Sequence, residues 1–249
     1  MSALAIGSIV FICVFGGALL GMFLRSILPE HHVSAESKDA VKVGIGLIAT
    51  MAALVLGLLV ATAKASYDTK SNELTEMSAN TVMVDRMLAH YGPETGTIRE
   101  LLRRAGTHAL ETLWPQNGQA PHLEPAGGAE VLYDAIEALS PKNDAQRALQ
   151  SQALNLTIDI GKMRWLLFVQ SASSISTPFL IVLVFWLTII FMSFGLFAPH
   201  NLTVSATLLV CALSVSGAIF LILQLDRPFE GLIRISSAPV QNALAHLGK

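Results

Sequence analysis

The sequence predicts an all-α integral membrane protein with four transmembrane helices and a cytoplasmic helical bundle inserted between spans 2 and 3. Three uncharged stretches carry this prediction, because residues 2–24, 43–63 and 165–225 contain no Lys, Arg, Asp or Glu. A helix needs about twenty apolar residues to cross the roughly 30 Å hydrocarbon core of a bilayer. The first two stretches are long enough for one span each, and the third is long enough for two.

The composition excludes several classes of protein. Of the 249 residues, 53% are hydrophobic and 14% are charged, and the formal net charge is −2. This balance provides no basic surface for nucleic acid. We expect no cleavable signal peptide, because no Lys or Arg precedes the first apolar stretch and the stretch ends at Arg25 rather than at small residues.

The spans form two predicted hairpins, at residues 1–63 and 165–225. Within the second hairpin, Pro199 lacks a backbone donor and Asn201 favours a turn, so the chain is expected to reverse there. The four spans are predicted at about residues 3–24, 43–63, 178–197 and 202–225.

An even number of spans places both termini and residues 64–164 on the same side of the membrane. Lys and Arg are more frequent near the membrane on that side, so the positive-inside rule predicts a bacterial inner-membrane protein with both termini in the cytoplasm. That side carries Lys64, Lys70, Lys162, Arg164, Arg227 and Arg234, whereas the other side carries Arg25, Lys38 and Lys42.

Residues 64–164 form the predicted cytoplasmic helical region, and residues 226–249 form a cytoplasmic tail. No Gly or Pro separates the second span from Tyr91, so one long helix is predicted to run from the bilayer to that residue, where Gly92 and Pro93 end it. Its apolar stripe recurs at alternating spacings of three and four, as on a helix packed along one face. The stripe consists of Leu74, Met77, Thr81, Val84 and Leu88.

Three further helices are predicted in this region. Pro93 suits the first turn of a helix that runs to about Leu113. A short helix follows at residues 129–139. The last helix is predicted to be capped by Ser140 and Pro141 and to continue into the third span.

We expect no enzymatic activity and no cofactor. The chain contains no Walker A loop, dinucleotide fingerprint, nucleophile elbow or HExxH motif. His31 and His32 could bind a transition metal, but adjacent residues on a loop do not fix its geometry, so no metal site is predicted. No predicted span contains a charged side chain, which argues against ion-coupled transport.

Small residues at helical spacing characterise the first two spans. Such residues let helix backbones approach closely in lipid, either within one chain or between subunits, and both interpretations stay open for Gly17 and Gly21 and for a stripe on the second span. The opposite face of the second span is the candidate pore lining, with lipid contact as the alternative. The stripe is Ala49, Ala53, Gly57 and Ala61; the candidate pore-lining residues are Ile48, Met51, Val55, Leu59 and Thr62.

Three strings resemble the bestrophin-like family of bacterial membrane proteins: residues 57–68 (GLLVATAKASYD), 84–94 (VDRMLAHYGPE) and 225–231 (LDRPFEG). The resemblance covers nearly the whole chain, and the last string is its most specific part. By relation to bestrophins it implies four spans, cytoplasmic termini and a pentameric ion channel whose second span lines the pore. The chain departs from animal bestrophins in lacking their acidic calcium clasp and their aromatic pore neck.

Ten residues within or beside these strings are assigned a structural role. Charge pairs among them are expected to clamp the tail against the bundle, and Phe229 is expected to anchor at the membrane interface. The ten are Asp68, Asp85, Arg86, Tyr91, Gly92, Pro93, Asp226, Arg227, Pro228 and Phe229.

The first functional hypothesis is an oligomeric membrane protein that acts as a bestrophin-like ion channel or pore. Its expected partners are the lipid bilayer, further copies of the same chain and small inorganic ions. The alternative is a non-conducting membrane scaffold or sensor whose cytoplasmic bundle binds a partner. A membrane enzyme is a third hypothesis that no motif supports.

Overall fold

A computed structural model of the chain describes residues 2–28, 35–115, 121, 128–170, 175–199, 201–229 and 231–248, with the backbone alone for residues 35–37 and 40. Every regular element in these ranges is helical. The α-helices, numbered in chain order, are α1 (Ala3–Ile27), α2 (Ala35–Tyr91), α3 (Gly96–Leu113), α4 (Ala129–Glu137), α5 (Asp144–Val169), α6 (Thr177–Phe197), α7 (Leu202–Asp226) and α8 (Ala238–His246), with a 3₁₀ turn at Pro93–Thr95.

The chain divides into two compact units. The membrane unit comprises Met1–Ser66 and Ser174–Asp226, and the bundle unit comprises Tyr67–Ser173 and Arg227–Lys249. Helices α1, α2, α6 and α7 are each long and apolar enough to cross a membrane. The four predicted spans are therefore confirmed in number, length and composition.

Helix α2 is continuous through 57 residues, which corresponds to about 85 Å at 1.5 Å per residue. The predicted helix from the second span to Tyr91 is confirmed. Its sequence explains the length, because neither Gly nor Pro interrupts it between Gly57 and Gly92.

The membrane unit has one apolar core to which all four of its helices contribute. Val14 and Ala18 of α1, Leu183 of α6 and Ala212 of α7 are fully buried in it. In a water-soluble protein, burial of apolar side chains contributes about 25 cal/mol to the free energy of folding for each square ångström of apolar surface removed from water. In a bilayer, close packing of the helices contributes more than removal from solvent, because lipid tails are as apolar as the side chains.

Hydrogen bonds from polar groups stabilise the end of α6 and the start of α7. The side-chain oxygen of Asn201 accepts a hydrogen bond from the backbone N–H of Val204 at 2.8 Å, which caps the start of α7. The guanidinium of Arg25, in the last turns of α1, donates to the carbonyl of Ala198 just beyond α6. The predicted reversal between α6 and α7 is present, because Met22 near the end of α1 lies beside both Gly195 of α6 and Ser205 of α7, whereas Gly7 near the start of α1 lies beside Phe220 of α7.

The bundle unit is built on the second half of α2. Leu74, Val84 and Leu88 are at most 1% exposed and pack in two clusters with residues of α3, α4, α5 and α8. These three residues belong to the predicted apolar stripe, so its periodicity identified the core-facing side of the helix correctly. Leu102 and Ile136 are buried opposite them.

The cap predicted for α5 is wrong by three residues. Asn143, rather than Ser140 and Pro141, is the N-cap, and its side chain accepts from the backbone N–H of Gln146 at 2.8 Å. The Gln146 side chain in turn accepts from the backbone N–H of Lys142 at 2.7 Å. This reciprocal pair satisfies two backbone donors at once, which Ser140 could not do from its position.

Two further features differ from the sequence-based expectation. Helix α5 ends at Val169 and α6 begins at Thr177, so α5 does not continue into the third span as one helix. Pro178 in the first turn of α6 explains the separate start, because proline favours that position and disfavours a helical residue before it. The tail, in which no helix is predicted, contains α8.

Candidate functional site

In the membrane unit, α2 is less covered than the other three helices. Of the residues in its apolar window 11% are buried, against 33% in α1, α6 and α7. The inward side is formed by Ala52, Leu59 and Ala63, which are at most 7% exposed. At 100° per residue, the positions around Gly57 lie on the opposite side of the helix.

The predicted pore lining does not form one exposed face. Leu59 lies in the core of the membrane unit, and Ile48 and Val55 are partly buried against that core, so these three residues contribute to packing within the chain. Met51 is 43% exposed, and Thr62 is also exposed. The buried side of α2 combines Ala52 and Ala63 with Leu59, whereas Leu54 is 70% exposed, so side-chain size does not decide which side of this helix faces the core.

The small-residue stripe of α2 is mostly on the outside. Ala49 is half-buried against the core, whereas Ala53, Gly57 and Ala61 are exposed. A Cβ atom at Gly57 would meet no atom within 4 Å. Packing within one chain therefore accounts for Ala49 but for none of the other three.

We define the outward face of α2 as Thr50, Ala53, Leu54, Gly57 and Ala61, which lie on one side of the helix at 100° per residue. The Thr50 hydroxyl donates to the Gly46 carbonyl one turn earlier at 2.9 Å, so its proton is satisfied without water. The face is uncharged, its side chains are small except for Leu54, and its residues are exposed in the described part of the chain.

The glycine pair of α1 lies against α6. A Cβ at Gly17 would be 2.9 Å from two atoms of Thr188, and one at Gly21 would be 2.8 Å from the carbonyl carbon of Met192. Gly195 of α6 returns the contact, since a Cβ there would be 3.0 Å from the backbone N of Met22. The two helices thus touch backbone to backbone, as small-residue motifs allow in membranes.

Asp85 is the centre of a polar cluster in the bundle unit. Its side chain is 1% exposed and receives two hydrogen bonds from Arg99, of 2.7 and 2.9 Å. The backbone N–H of Gly248 donates to the same carboxylate at 3.2 Å. One buried carboxylate therefore joins α2, α3 and the end of the tail.

Burial and hydrogen bonding shift the pKa of two groups in this unit. Burial alone would raise the pKa of Asp85, but the hydrogen bonds from Arg99 and Gly248 outweigh it and place that pKa below its ordinary value. Burial, with a smaller contribution from Glu94, raises the pKa of Tyr91. Asp85 is therefore charged and Tyr91 neutral at physiological pH.

The turn after α2 is formed by the motif residues themselves. Gly92 has a φ of 147°, which side-chain-bearing residues rarely adopt, and Pro93 begins the 3₁₀ turn. The Thr95 hydroxyl lies 2.8 Å from the Gly92 carbonyl oxygen, and the Gln146 side chain donates to the Tyr91 carbonyl at 2.8 Å. The Tyr91 hydroxyl is buried and has no hydrogen-bond partner among the residues that the structure describes.

The tail is held to the bundle unit at its near end as well. The Trp114 indole N–H donates to the Ile235 carbonyl at 2.9 Å, and the Ile235 backbone N–H donates to the Pro228 carbonyl at 2.8 Å. The Tyr67 hydroxyl contacts the Arg234 carbonyl at 3.3 Å. Charge pairs were predicted to hold the tail against the bundle. In these contacts, the Trp114 indole, the Tyr67 hydroxyl and the Asp85 carboxylate hold it.

Phe229 is a core residue of the bundle unit rather than an anchor at the membrane interface. It is 8% exposed, and its ring packs edge-to-face on Trp114 with centroids 6.1 Å apart. The predicted interfacial role is wrong, because the chain turns at Pro228 and carries the ring back into the bundle core. Of the remaining motif residues, Asp226 is 2% exposed, Asp68 and Arg86 are half-buried, and Arg227 is exposed.

The bundle unit also contains an apolar cavity of about 90 Å³. Met77 of α2, Leu102 of α3, Leu132 of α4 and Leu244 of α8 contribute to its walls, and Arg164 of α5 is a charged residue among them. In the described part of the chain, no group of three or more His, Cys, Asp or Glu could hold a metal ion. His31 and His32 lie outside the described residues.

Sequence reasoning missed the partners of Asp85. A signal for Arg99 was present, because Asp85 and Arg99 are each seven residues from Gly92, and a turn at Gly92 brings equidistant residues of the flanking helices together. Trp114 carried a weaker signal as a large aromatic beside a Pro- and Gly-rich segment. Gly248 carried none, since its backbone N–H makes the contact.

Comparison with known protein families identifies a match for most of the chain. Residues 12–240 match the model of the Bestrophin-like domain. No curated protein and no solved structure matches the chain significantly. The match covers nearly all of the four apolar helices and the bundle unit between them, and it includes each of the three strings noted in the sequence. The chain is a membrane protein that belongs to the Bestrophin-like family.

Proposed function

We propose that the protein assembles as a homo-oligomer around an ion-conducting pore, with the outward face of α2 toward the axis. The observation that carries this proposal is the exposure of that face in the single chain. Family membership supports it, since the resemblance to bestrophins implies a ring of subunits, pentameric there, lined by the second span.

The composition of the outward face suits a pore wall. Ala53, Gly57 and Ala61 are small and would let several copies of α2 approach one axis, with Leu54 as the bulky side chain that narrows the passage. The face has no charged side chain, so it would form an apolar passage of the kind that gates by dewetting, with the Thr50 hydroxyls as its polar ring. Met51 and Thr62 are also exposed but lie more than 100° around the helix from Gly57, so this proposal does not place them in the lining.

We propose that the protein lies in the bacterial inner membrane with both termini in the cytoplasm. The support is the excess of Lys and Arg near the membrane on the side of the bundle unit. A reporter fused after Lys249 tests it: activity of a periplasmic-only reporter such as alkaline phosphatase would contradict the orientation.

The decisive experiment combines mass measurement with ion flux. The purified chain in mild detergent is expected to have the mass of an oligomer, and proteoliposomes are expected to pass small ions. In a background with Cys13 and Cys211 changed to Ala, Gly57→Cys should make this flux sensitive to a water-soluble thiol reagent. The matched control is Phe185→Cys, an exposed position on α6 that the proposal places in lipid.

Three outcomes would contradict the pore. A monomer in mild detergent removes it, and so does an oligomer whose liposomes are impermeable. Equal reagent effects at Gly57→Cys and Phe185→Cys would show that the outward face of α2 does not line the pathway.

The second candidate is a non-conducting sensor whose bundle unit binds a partner. The apolar cavity of the bundle unit, with Arg164 in its lining, is the observation that favours it. Impermeable liposomes, together with specific capture of a partner that Leu102→Trp abolishes by filling the cavity, would support this function over the pore.

A further inference from the structure

The membrane unit contains a crevice of about 440 Å³ between the first turns of α2 and the last turns of α6. Its walls are apolar, and two lysines of α2 lie at one end of it. The wall residues include Ile45, Gly46 and Ala49 of α2, Phe194 and Phe197 of α6 and Leu208 of α7, and the lysines are Lys38 and Lys42.

The α2 wall of this crevice is one continuous helix face. Lys38, Lys42, Ile45 and Ala49 follow each other at spacings of four, three and four, so they lie above one another on α2. The face is cationic at its start and apolar along the following two turns. Lys42 is the last charged residue before the uncharged residues 43–63, which places its ammonium at headgroup depth in a bilayer.

Among the described residues, the ion-pair partner of Lys42 is Asp39. Its ammonium lies 3.4 Å from the Asp39 carboxylate, and both side chains are more than 60% exposed. An exposed ion pair of this kind is worth less than about 1 kcal/mol and exchanges readily. An incoming anion therefore competes with a weak partner.

An apolar crevice open to the hydrocarbon layer loses dispersion contacts unless something fills it. Acyl chains are the filler that a bilayer supplies, and paired lysines at headgroup depth select lipids whose headgroups are anionic. Lysine stems can lie along the apolar wall while their ammonium groups reach the phosphate.

We propose that this crevice binds one anionic phospholipid, with an acyl chain between α2 and α6 and the phosphate at Lys38 and Lys42. The site is independent of whether the protein conducts ions. The headgroup must be anionic, because a zwitterionic lipid presents its own cation to the same two lysines.

Native mass spectrometry of the full-length protein in mild detergent tests the proposal. Phosphatidylglycerol is expected to remain bound where phosphatidylcholine does not. Removing each lysine charge, in Lys38→Gln and Lys42→Gln, should weaken phosphatidylglycerol binding about five-fold, and the double variant about 25-fold. The variant with both lysines changed to Arg should bind as the unchanged protein does, and Lys142→Gln, an exposed lysine of the bundle unit, is the matched control.

A charge-neutral variant separates the acyl chain from the headgroup. A Cβ at Gly46 would meet nothing within 4 Å, so Gly46→Leu fits the backbone and fills the crevice. It should abolish lipid retention with both lysines in place, whereas undiminished retention would place the lipid elsewhere and overturn the site. Equal retention of the two lipids, full binding by the double glutamine variant, or displacement of the lipid by soluble glycerol phosphate would each overturn the proposal as well.

Discussion

Gly21→Ala tests the backbone contact between α1 and α6 with a single methyl group. The new Cβ would overlap the carbonyl oxygen of Met192 and lie 2.8 Å from its carbonyl carbon and 2.9 Å from the backbone N of Leu196. These atoms belong to helix backbone and cannot move alone. Ordinary contacts between such atoms begin near 3.5 Å, so the helices must part by more than about 1 Å.

The size of the effect follows from this overlap. Overpacking a core by one methyl group costs about 1–3 kcal/mol. The matched control is Gly16→Ala in the same helix, where a Cβ would meet nothing within 4 Å. In the control, replacing glycine by alanine in a helix is expected to stabilise by up to about 1 kcal/mol. The two substitutions are chemically identical and are predicted to have opposite signs.

Unfolding by sodium dodecyl sulfate in mild detergent, followed by circular dichroism, measures both variants. Gly21→Ala should unfold at a lower, and Gly16→Ala at an equal or higher, detergent fraction than the unchanged protein. Equal midpoints for the two variants would refute the close approach of α1 and α6. Gly195→Ala, on the other side of the contact, should reproduce the Gly21 result.

Three further outcomes are expected in the bundle unit. Asp85→Asn should lower the free energy of unfolding at pH 7 by about 2 kcal/mol, because charge-assisted hydrogen bonds are lost. The folded state holds the pKa of Asp85 below its ordinary value, so this stabilisation is full above about pH 4 and is lost as the pH falls through the folded pKa. The free energy of unfolding of the variant should therefore depend less on pH in acid. An unchanged pH dependence would contradict the role of the carboxylate. Trp114→Phe removes the indole N–H donated to Ile235 and should cost about 1 kcal/mol and speed tryptic cleavage of the tail, whereas unchanged cleavage would show that the bond does not hold it. Gln150→Ala removes the donor to three carbonyls at and beyond the end of α4 and should increase hydrogen exchange in residues 129–139, with no increase expected in α3.

The spans could be located from sequence because a bilayer imposes a length on every apolar helix. Which side of α2 faces the core could not be predicted from sequence. Leu54 and Leu59 are chemically the same residue, yet the first is 70% exposed and the second 7%. In lipid both sides of a helix are apolar, so no polar side marks which one faces outward. The buried side includes Ala52 and Ala63, so the orientation depends on which neighbouring helices α2 contacts rather than on the size of its own side chains.

In the bundle unit the sequence was more informative because water restores the contrast between faces. The stripe containing Leu74, Val84 and Leu88 was predicted from its spacing and forms the core. The contacts that hold the tail could not be predicted from sequence. For example, the backbone N–H of Gly248 donates to Asp85, which is 163 positions away in the chain. Such contacts depend on the completed fold and leave no local pattern.

The uninterrupted course of α2 constrains how the chain can change in length. Leu59 and Leu74 are buried in two separate cores on the same helix. Because each residue turns the helix by about 100°, one inserted residue between them would change the angle between these two side chains around the helix axis by that amount. Insertions of seven or eleven residues return this angle to within about 20° of its present value. Insertions of those lengths would therefore keep both side chains at their present positions around α2.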